Sequence, residues 1–282
     1  MRLAGLASLC VSSLMILQPA FAGHKHVSPT HRLHKQPVQQ EAHRVKVDPA
    51  LFPGVIGKDD RKTENASKGA WRAIGQVNVA GYRRRSVCSG TLIGPRMVLT
   101  ASHCVIDPVK HQPYPVTHIH FSAGVQGGSS AGHSTADCIK LPPGYKNDSS
   151  VRLLPDLPFQ PASFESLNGA IAVIVLKTEM AGVTPLAVAP GPVAGDADVT
   201  HAGYGLDKRY VLSVHRGCRA LREEHGLIVS DCDTHAGQSG GPLLTGETPA
   251  VSGVLVGMVS KQASLFVPLT SWPEVAENDS CK

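Results

Sequence analysis

The sequence predicts an all-β protein. Short apolar runs recur along its 282 residues, and turn-forming residues separate one run from the next. Glycine and proline, with 28 and 21 residues, supply these turns, and no long amphipathic helical pattern stands out. The apolar fraction of 42% is sufficient for one large core or two modest ones. We expect strands near residues 71–79, 90–93, 97–100, 116–122, 170–176, 197–204, 227–229, 242–244, 251–259 and 265–267.

One of these runs, NGAIAVIVLK at residues 168–177, has the composition of a central strand. Every residue from Ile171 to Leu176 is apolar, and most of them are β-branched. Asn-Gly leads into the run. A short unbroken run of this kind is typical of a strand that is buried on both faces.

Residues 1–22 fit a signal peptide. Arg2 precedes an apolar stretch from Leu3 to Leu17, and Ala20-Phe21-Ala22 has the A-x-A pattern of a cleavage site. The stretch is short and interrupted by serine, which disfavours a permanent membrane anchor. We therefore expect export to a secreted or periplasmic location, with no stable membrane anchor.

Residues 23–54 differ in composition from the rest of the chain. Five of the 14 histidines lie here, together with lysine, glutamine and proline. Large apolar residues are too few to form a core, so we expect a disordered pro-segment or linker.

The charge pattern does not predict a nucleic-acid partner. The net charge is only +5, and the densest basic cluster is Arg83-Arg84-Arg85. No aromatic residues interleave with this cluster, so we interpret it as a solvated loop.

Six cysteines follow the expected signal peptide. An even number in an exported chain predicts disulfides, and six cysteines allow 15 pairings, which remain open at this point. There is no C-x-x-C pair, so a zinc ribbon is not expected. The six are Cys88, Cys104, Cys138, Cys218, Cys232 and Cys281.

Two stretches carry residues for nucleophilic catalysis. They are CSGTLIGPRMVLTASHC, from Cys88 to Cys104, and DTHAGQSGGPLL, which begins at Asp233. A serine hydroxyl needs a neighbouring base to take its proton and N–H donors for the oxyanion that forms. His103 is the candidate base, Ser239 is the candidate nucleophile, and the N–H groups of Gly237 and Ser239 are the candidate oxyanion hole.

The pattern Gly-x-Ser-x-Gly around Ser239 also matches the nucleophile elbow of α/β-hydrolases. In those enzymes the catalytic histidine follows the serine in the chain. The last histidine here is His235, which precedes Ser239, so this alternative is excluded.

The order of His103 and then Ser239 resembles that of trypsin-like serine proteases of the chymotrypsin superfamily. LTASHC is similar to the histidine motif of that family, and GQSGGP is similar to its serine motif. VIGKDDR at Val55–Arg61 resembles the start of the mature chain in the secreted bacterial, glutamyl-endopeptidase-like branch.

This resemblance implies two antiparallel six-stranded β-barrels with the active site between them. We expect the N-terminal barrel at residues 55–180 and the C-terminal barrel at 181–282. The resemblance also implies disulfides between Cys88 and Cys104 and between Cys218 and Cys232, which leaves Cys138 and Cys281 as the third pair.

The same resemblance exposes a departure at the triad acid. The family has Asp at the start of a buried strand, in D-I-A-L or a similar motif, and the matching residues here begin with Ala170. Losing this acid costs about 10⁴-fold in turnover in well-studied proteases. Three interpretations stay open: an inactive or weak homologue, another acid such as Asp156 or Glu165, or an altered version of an active enzyme.

Two further positions bear on specificity and activation. Asp233 lies six residues before the nucleophile, where trypsin-type enzymes hold the acid of their specificity pocket, and it would favour Arg or Lys in the substrate. Glutamyl enzymes have a histidine after the serine strand, and residues 257–260 have none, which disfavours acidic specificity. Gln238 replaces the Asp that binds the new N-terminal ammonium, so we expect Val55 to be held by hydrogen bonds.

We therefore expect a serine endopeptidase that forms an acyl-enzyme on Ser239 with His103 as general base, and that is impaired because Ala170 occupies the acid position. The alternative is an exported peptide-binding pseudoprotease without activity. The expected partners are protein or peptide substrates, with no nucleic acid, and the chain is expected to be a monomer. No metal or other cofactor is implied.

Overall fold

The computed structural model describes residues 54–81, 84–145 and 167–281, all within the compact unit Val47–Lys282. The expected signal peptide and residues 23–53 of the expected pro-segment lie outside the described residues. The same is true of Asp156 and Glu165, the two alternative acids.

The described residues form strands joined by turns and short 3₁₀ helices. The strands are β1 (Lys62–Glu64), β2 (Ile74–Gly81), β3 (Arg84–Gly94), β4 (Met97–Ala101), β5 (Ile106–Asp107), β6 (Gln112–Pro113), β7 (Ile119–Ala123), β8 (Gly132–Lys140), β9 (Ile171–Leu176), β10 (Ala197–Gly203), β11 (Leu212–Glu224), β12 (Leu227–Ser230), β13 (Pro242–Thr245), β14 (Ala250–Val259) and β15 (Ala263–Pro268). The 3₁₀ helices are Gly69–Ala73, Ser102–Cys104, Val116–His118, Leu206–Lys208, Leu269–Ser271 and Pro273–Ala276. None of the helices within the described ranges is long and apolar enough to span a bilayer.

The strands form the two six-stranded antiparallel barrels that the sequence led us to expect. The first barrel closes in the order β2-β3-β4-β9-β8-β7. In the second, the order is β11-β10-β13-β14-β15-β12, and pairing of β11 with β12 closes the ring. β5 and β6 form a separate two-stranded ribbon. The predicted fold class is confirmed.

β1 departs from the expected division of the chain. The boundary at residue 55 assigns it to the first barrel, but its residues pair with Leu212–Val214 of β11 in the second. The chain therefore contacts the second barrel first and enters the first barrel at β2. A three-residue strand has too little pattern to indicate its partner from sequence.

β9 is the strand predicted from the run at residues 171–176. All six of its residues are buried, and it pairs with β4 on one side and β8 on the other. Its register sets Ile171 opposite Ala101 and Ala172 opposite Thr100. This pairing joins the start of β9 to the end of β4, directly before the 3₁₀ turn Ser102–Cys104 that contains His103.

Three disulfides fix the described chain. They join Cys88 to Cys104, Cys138 to Cys281 and Cys218 to Cys232. These are the pairs that the family resemblance implies. The first links β3 to the turn after β4, and the second links β8 to the C-terminal residues.

Candidate active site

His103 lies in a short turn that is held at both ends. β4 ends at Ala101, and Ser102–Cys104 form one turn of 3₁₀ helix. Ser102 N–H donates to the carbonyl of Ala170 at 2.9 Å, and Cys104 is bonded to Cys88. We call residues 102–104 the histidine turn. Its position is therefore fixed by one hydrogen bond and one covalent link.

Ser239 lies in a tight turn of the second barrel, residues 235–241, which we call the serine turn. Gln238 N–H donates to the carbonyl of His235 at 3.0 Å, and Gly241 N–H donates to that of Gln238 at 2.8 Å. Gly240 has a φ of +83°, and a Cβ there would lie 2.2 Å from atoms of the first barrel. Only glycine permits both this backbone conformation and this close approach.

Contacts between the two barrels bring the histidine turn and the serine turn together. Ser89 N–H of β3 donates to the carbonyl of Ser239 at 2.8 Å. Cys104 Sγ lies 3.7 Å from the same carbonyl oxygen, and a ring nitrogen of His103 lies within 4.8 Å of that sulfur. The turns that carry the candidate base and the candidate nucleophile therefore lie side by side, at the contact between the barrels.

The two candidate oxyanion donors have no competing acceptor. Neither the N–H of Gly237 nor that of Ser239 donates to another described residue. Gly237 has a φ of +96°, and its carbonyl accepts a hydrogen bond from Ser89 Oγ at 3.1 Å. That bond fixes the orientation of the peptide that follows Gly237. Free N–H groups in a fixed turn are what an oxyanion hole requires.

Among the described residues, no carboxylate occupies the position of a triad acid beside His103. Burial lowers the pKa of His103 to about 4, and no carboxylate of a described residue counteracts this effect. Ala170, with 4% of its surface exposed, lies opposite Ser102 where the triad acid was expected. The hydroxyl of Ser102 is itself hydrogen-bonded to Tyr145 Oη at 2.8 Å. His103 is therefore neutral at pH 7, and a protonated ring has no described counter-ion.

Asp233 is buried, and both of its carboxylate oxygens accept hydrogen bonds. Ile56 N–H donates to Oδ1 and Asp60 N–H to Oδ2, each at 2.8 Å. Its own N–H donates to Nδ1 of His215 at 2.8 Å. The carboxylate thus anchors the segment that contains Val55. Its predicted role in binding a basic substrate side chain stays a prediction.

Among the described residues, two side-chain groups have donor atoms close enough together to hold a metal ion. In one, the sulfurs of Cys88 and Cys104 are joined in a disulfide and are not available as thiolate ligands. In the other, the hydrogen bonds just described already occupy Nδ1 of His215 and both oxygens of Asp233. Neither group has the free ligand atoms that a metal site needs.

Sequence reasoning missed one residue beside the serine turn, Arg61. Its side chain is fully buried and lies 3.4 Å, Nη1 to Oε1, from Gln238. The Oε1 atom also accepts from His235 N–H at 2.7 Å, and Nε2 donates to the carbonyl of Gly203 at 3.2 Å. Charged residues in VIGKDDR usually indicate a solvated surface, so nothing in the sequence marks Arg61 as buried.

Comparison with known proteins relates this chain to peptidases. Residues 88–258 match the model of the trypsin-like peptidase domain. The cercarial protease of Schistosoma mansoni is 26% identical over 206 residues, which are 64% of this chain and 72% of that protein. The glutamyl endopeptidase of Bacillus licheniformis is 29% identical over 211 residues, 70% of this chain but only 58% of that protein.

Solved structures show the same fold at low sequence identity. A Glu endopeptidase structure has a TM-score of 0.62 and 19% identity, and the match covers 79% of this chain and all of that one. The protease Anisep from Arthrobacter nicotinovorans has a TM-score of 0.58 and 16% identity over 77% of this chain and all of that one. The family match spans more than half of the sequence and includes both turns of the site. This chain therefore belongs to the family of the trypsin-like peptidase domain.

Proposed function

We propose that this protein is a serine endopeptidase of strongly reduced turnover. The observation that carries the proposal is the meeting of the histidine turn and the serine turn, with the carbonyl of Ser239 at 3.7 Å from Cys104 Sγ. Both N–H donors of the predicted oxyanion hole are free of described acceptors, which supports the same reaction.

In the proposed reaction, His103 takes the proton of Ser239 Oγ while that oxygen attacks the carbonyl carbon of the scissile peptide. The N–H groups of Gly237 and Ser239 bind the oxyanion of the tetrahedral intermediate. The amine then leaves with the proton held by His103, and an acyl-enzyme remains. Water, deprotonated by the same histidine, attacks the acyl group, and Ser239 regains its proton as the acid product leaves.

The proposed impairment comes from Ala170. A triad aspartate fixes the tautomer of the histidine and stabilises the imidazolium that forms during attack. A methyl group does neither, and burial makes the charged ring still less favourable. We expect turnover about 10⁴-fold below that of an enzyme with the acid, which is about 5 kcal/mol of barrier.

Protein or peptide substrates follow from the family, and the proposed site of action is extracellular or periplasmic. Three disulfides are typical of an oxidising compartment and support export. We propose a monomer without a stable membrane anchor. The proposed preference for Arg or Lys rests on Asp233, and a panel of peptides that differ only in the residue before the cut measures that preference.

A second candidate function is supported by Ala170 itself. An exported pseudoprotease that binds peptides without cleaving them would retain the fold and tolerate loss of the acid. The serine turn does not favour it, because a binding protein has no need of a glycine-lined oxyanion hole.

Labelling with a fluorophosphonate distinguishes the two candidates. We expect slow covalent labelling of the purified protein at Ser239, detected by mass spectrometry of the modified peptide, together with slow peptide turnover. Ser239→Ala should abolish both, while Ser213→Ala, a buried serine of β11, serves as the matched control. Equal turnover in the natural protein and Ser239→Ala, with no labelling of either, would leave only the pseudoprotease.

A further inference from the structure

Residues 54–64, which we call the strap, run along the second barrel beside the serine turn. At one end, the carbonyl of Gly54 accepts a hydrogen bond from Thr234 N–H at 2.8 Å. At the other end, β1 pairs with Leu212–Val214. Between them, two N–H groups of the strap bind Asp233. The strap is therefore fixed along its length.

Of the charged side chains in the strap, only that of Arg61 is fully buried. Its Nη2 lies 2.9 Å from Oδ2 of Asp59 and 3.0 Å from Oδ2 of Asp207. Burial opposes the charge, but the two carboxylates outweigh it and raise the pKa of Arg61. A guanidinium in this position stays charged and keeps a fixed orientation.

The guanidinium also contacts Gln238, the residue before the candidate nucleophile. Arg61 Nη1 donates to Gln238 Oε1, which also accepts from His235 N–H. Gln238 Nε2 donates to the carbonyl of Gly203 at the end of β10. The Gln238 side chain is thus fixed between the strap, the serine turn and the barrel wall, with 1% of its surface exposed.

We propose that Arg61 positions the serine turn by fixing the side chain of Gln238. The positive charge belongs to a side chain of the strap, so this contact does not need a new N-terminal ammonium. Trypsin-type enzymes use that ammonium and an Asp before the serine for the same purpose. Here the positive charge is a buried arginine, and its carboxylate partners lie on the strap and after β10.

The inference rests on the proposed function, because the position of the turn affects a rate only if Ser239 reacts. It acts through the oxyanion hole, since Gly237 and Ser239 flank Gln238 directly. Losing one oxyanion donor costs about 10²- to 10³-fold in rate. If the serine turn is displaced for only part of the time, the rate should fall less than this. We therefore expect the rate to fall about tenfold or more when the contact is removed.

Two variants test the contact from its two sides. Arg61→Met removes the charge and keeps the length of the side chain, and Gln238→Leu removes the amide while leaving the pairs of Arg61 with Asp59 and Asp207 intact. The rate of Ser239 labelling by a fluorophosphonate should fall about tenfold or more in each. Backbone hydrogen exchange should rise in residues 235–241 and not in β9.

The double variant separates positioning from a merely structural role. If Arg61 acts through Gln238, then Arg61→Met should slow labelling no further once Gln238→Leu is present. Arg61→Lys keeps the charge and should recover part of the rate. Arg222→Met is the matched control, because Arg222 pairs with Glu224 on the exposed surface of the same barrel. It should label at the natural rate.

Gln238→Leu keeps the inference testable if Arg61→Met fails to fold. Natural labelling rates and natural exchange of residues 235–241 in Gln238→Leu would overturn the inference. Additive losses in the double variant would also overturn it. If the natural protein is not labelled at all, the proposed function fails, and hydrogen exchange of the serine turn still decides whether Arg61 orders it.

Discussion

The serine turn and the histidine turn are supported very differently. The serine turn is fixed by hydrogen bonds from Ser89 of the first barrel and through Gln238 by Arg61 of the strap. The histidine turn has its backbone fixed by Ala170 and a disulfide, but its catalytic side chain has no described carboxylate partner. The candidate oxyanion donors are therefore held in place, while the candidate base has no carboxylate partner among the described residues.

This difference indicates which step of the proposed reaction we expect to be impaired. Oxyanion stabilisation depends on the serine turn and should be close to normal. Proton transfer depends on the stability of the imidazolium, which burial opposes and no described acid favours. The largest predicted effects therefore come from changing the environment of His103.

Ala170→Asp should remove most of the difference between the two turns. A carboxylate opposite Ser102 would accept the second ring N–H of His103, and we expect peptide turnover to rise about 10³- to 10⁴-fold. Steady-state kinetics measure this rise, and we expect it to appear in kcat. Ala170→Asn is the matched control because it has the same shape without the charge, and it should give no comparable gain. An equal rate for both variants would contradict the assignment of position 170.

Loss of the Cys88–Cys104 disulfide should loosen the histidine turn alone. The paired change Cys88→Ala and Cys104→Ala opens a loop with a separation of 16 residues, which is worth about 3 kcal/mol of unfolding free energy. Denaturant unfolding measures the loss. The same change at Cys218 and Cys232, with a separation of 14, is the control. It should cost a similar free energy but slow Ser239 labelling much less.

The pH dependence of Ser239 labelling should show whether a carboxylate supports His103. The base must be neutral, so the rate should stay constant as pH falls and decline only near the His103 pKa of about 4. In Ala170→Asp the carboxylate favours the charged ring, and the decline should move to higher pH. Labelling rates from pH 3 to 8 measure both. A decline near 6.5 in the natural protein would mean that His103 is better solvated than the structure indicates.

His201 provides a buried histidine outside the active site for comparison. Its exposed fraction is 0%, its Nδ1 lies 3.0 Å from the carbonyl of Pro242, and burial lowers its pKa to about 3. The unfolded chain binds this proton at a higher pH than the folded chain. Unfolding free energy should therefore fall as pH drops from about 6.5 towards 3.

His201→Leu should reduce that acid sensitivity and leave the pH profile of labelling unchanged. The variant loses one hydrogen bond, so we expect a change of only about 1 kcal/mol in unfolding free energy at pH 7. Chemical denaturation at pH 4 and pH 7 measures both the unfolding free energy at pH 7 and its loss in acid. His225→Ala, on an exposed histidine, should change neither, and an unchanged acid sensitivity in His201→Leu would rule out this role for His201.

Strands that alternate strictly or are fully apolar were predictable, and five others were not: β8, β11 and the short strands β1, β5 and β6. All ten expected strands overlap strands of the structure, including β9. β8 and β11 were missed because polar and charged residues interrupt them, and only part of each strand is buried. Such a strand is stabilised by pairing with its neighbours, which no local pattern records.

The sequence by itself determined the fold class, the candidate base and nucleophile, and the departure at Ala170. These depend on short motifs whose chemistry is local, so residue types and chain order are sufficient. Only the tertiary structure decided that Asp233 is bound by the strap and that Arg61 is buried against Gln238. Those contacts join residues more than 170 positions apart, as the separations of 177 and 173 show. Whether a charge lies in water or against a buried amide depends on which surfaces the fold brings together.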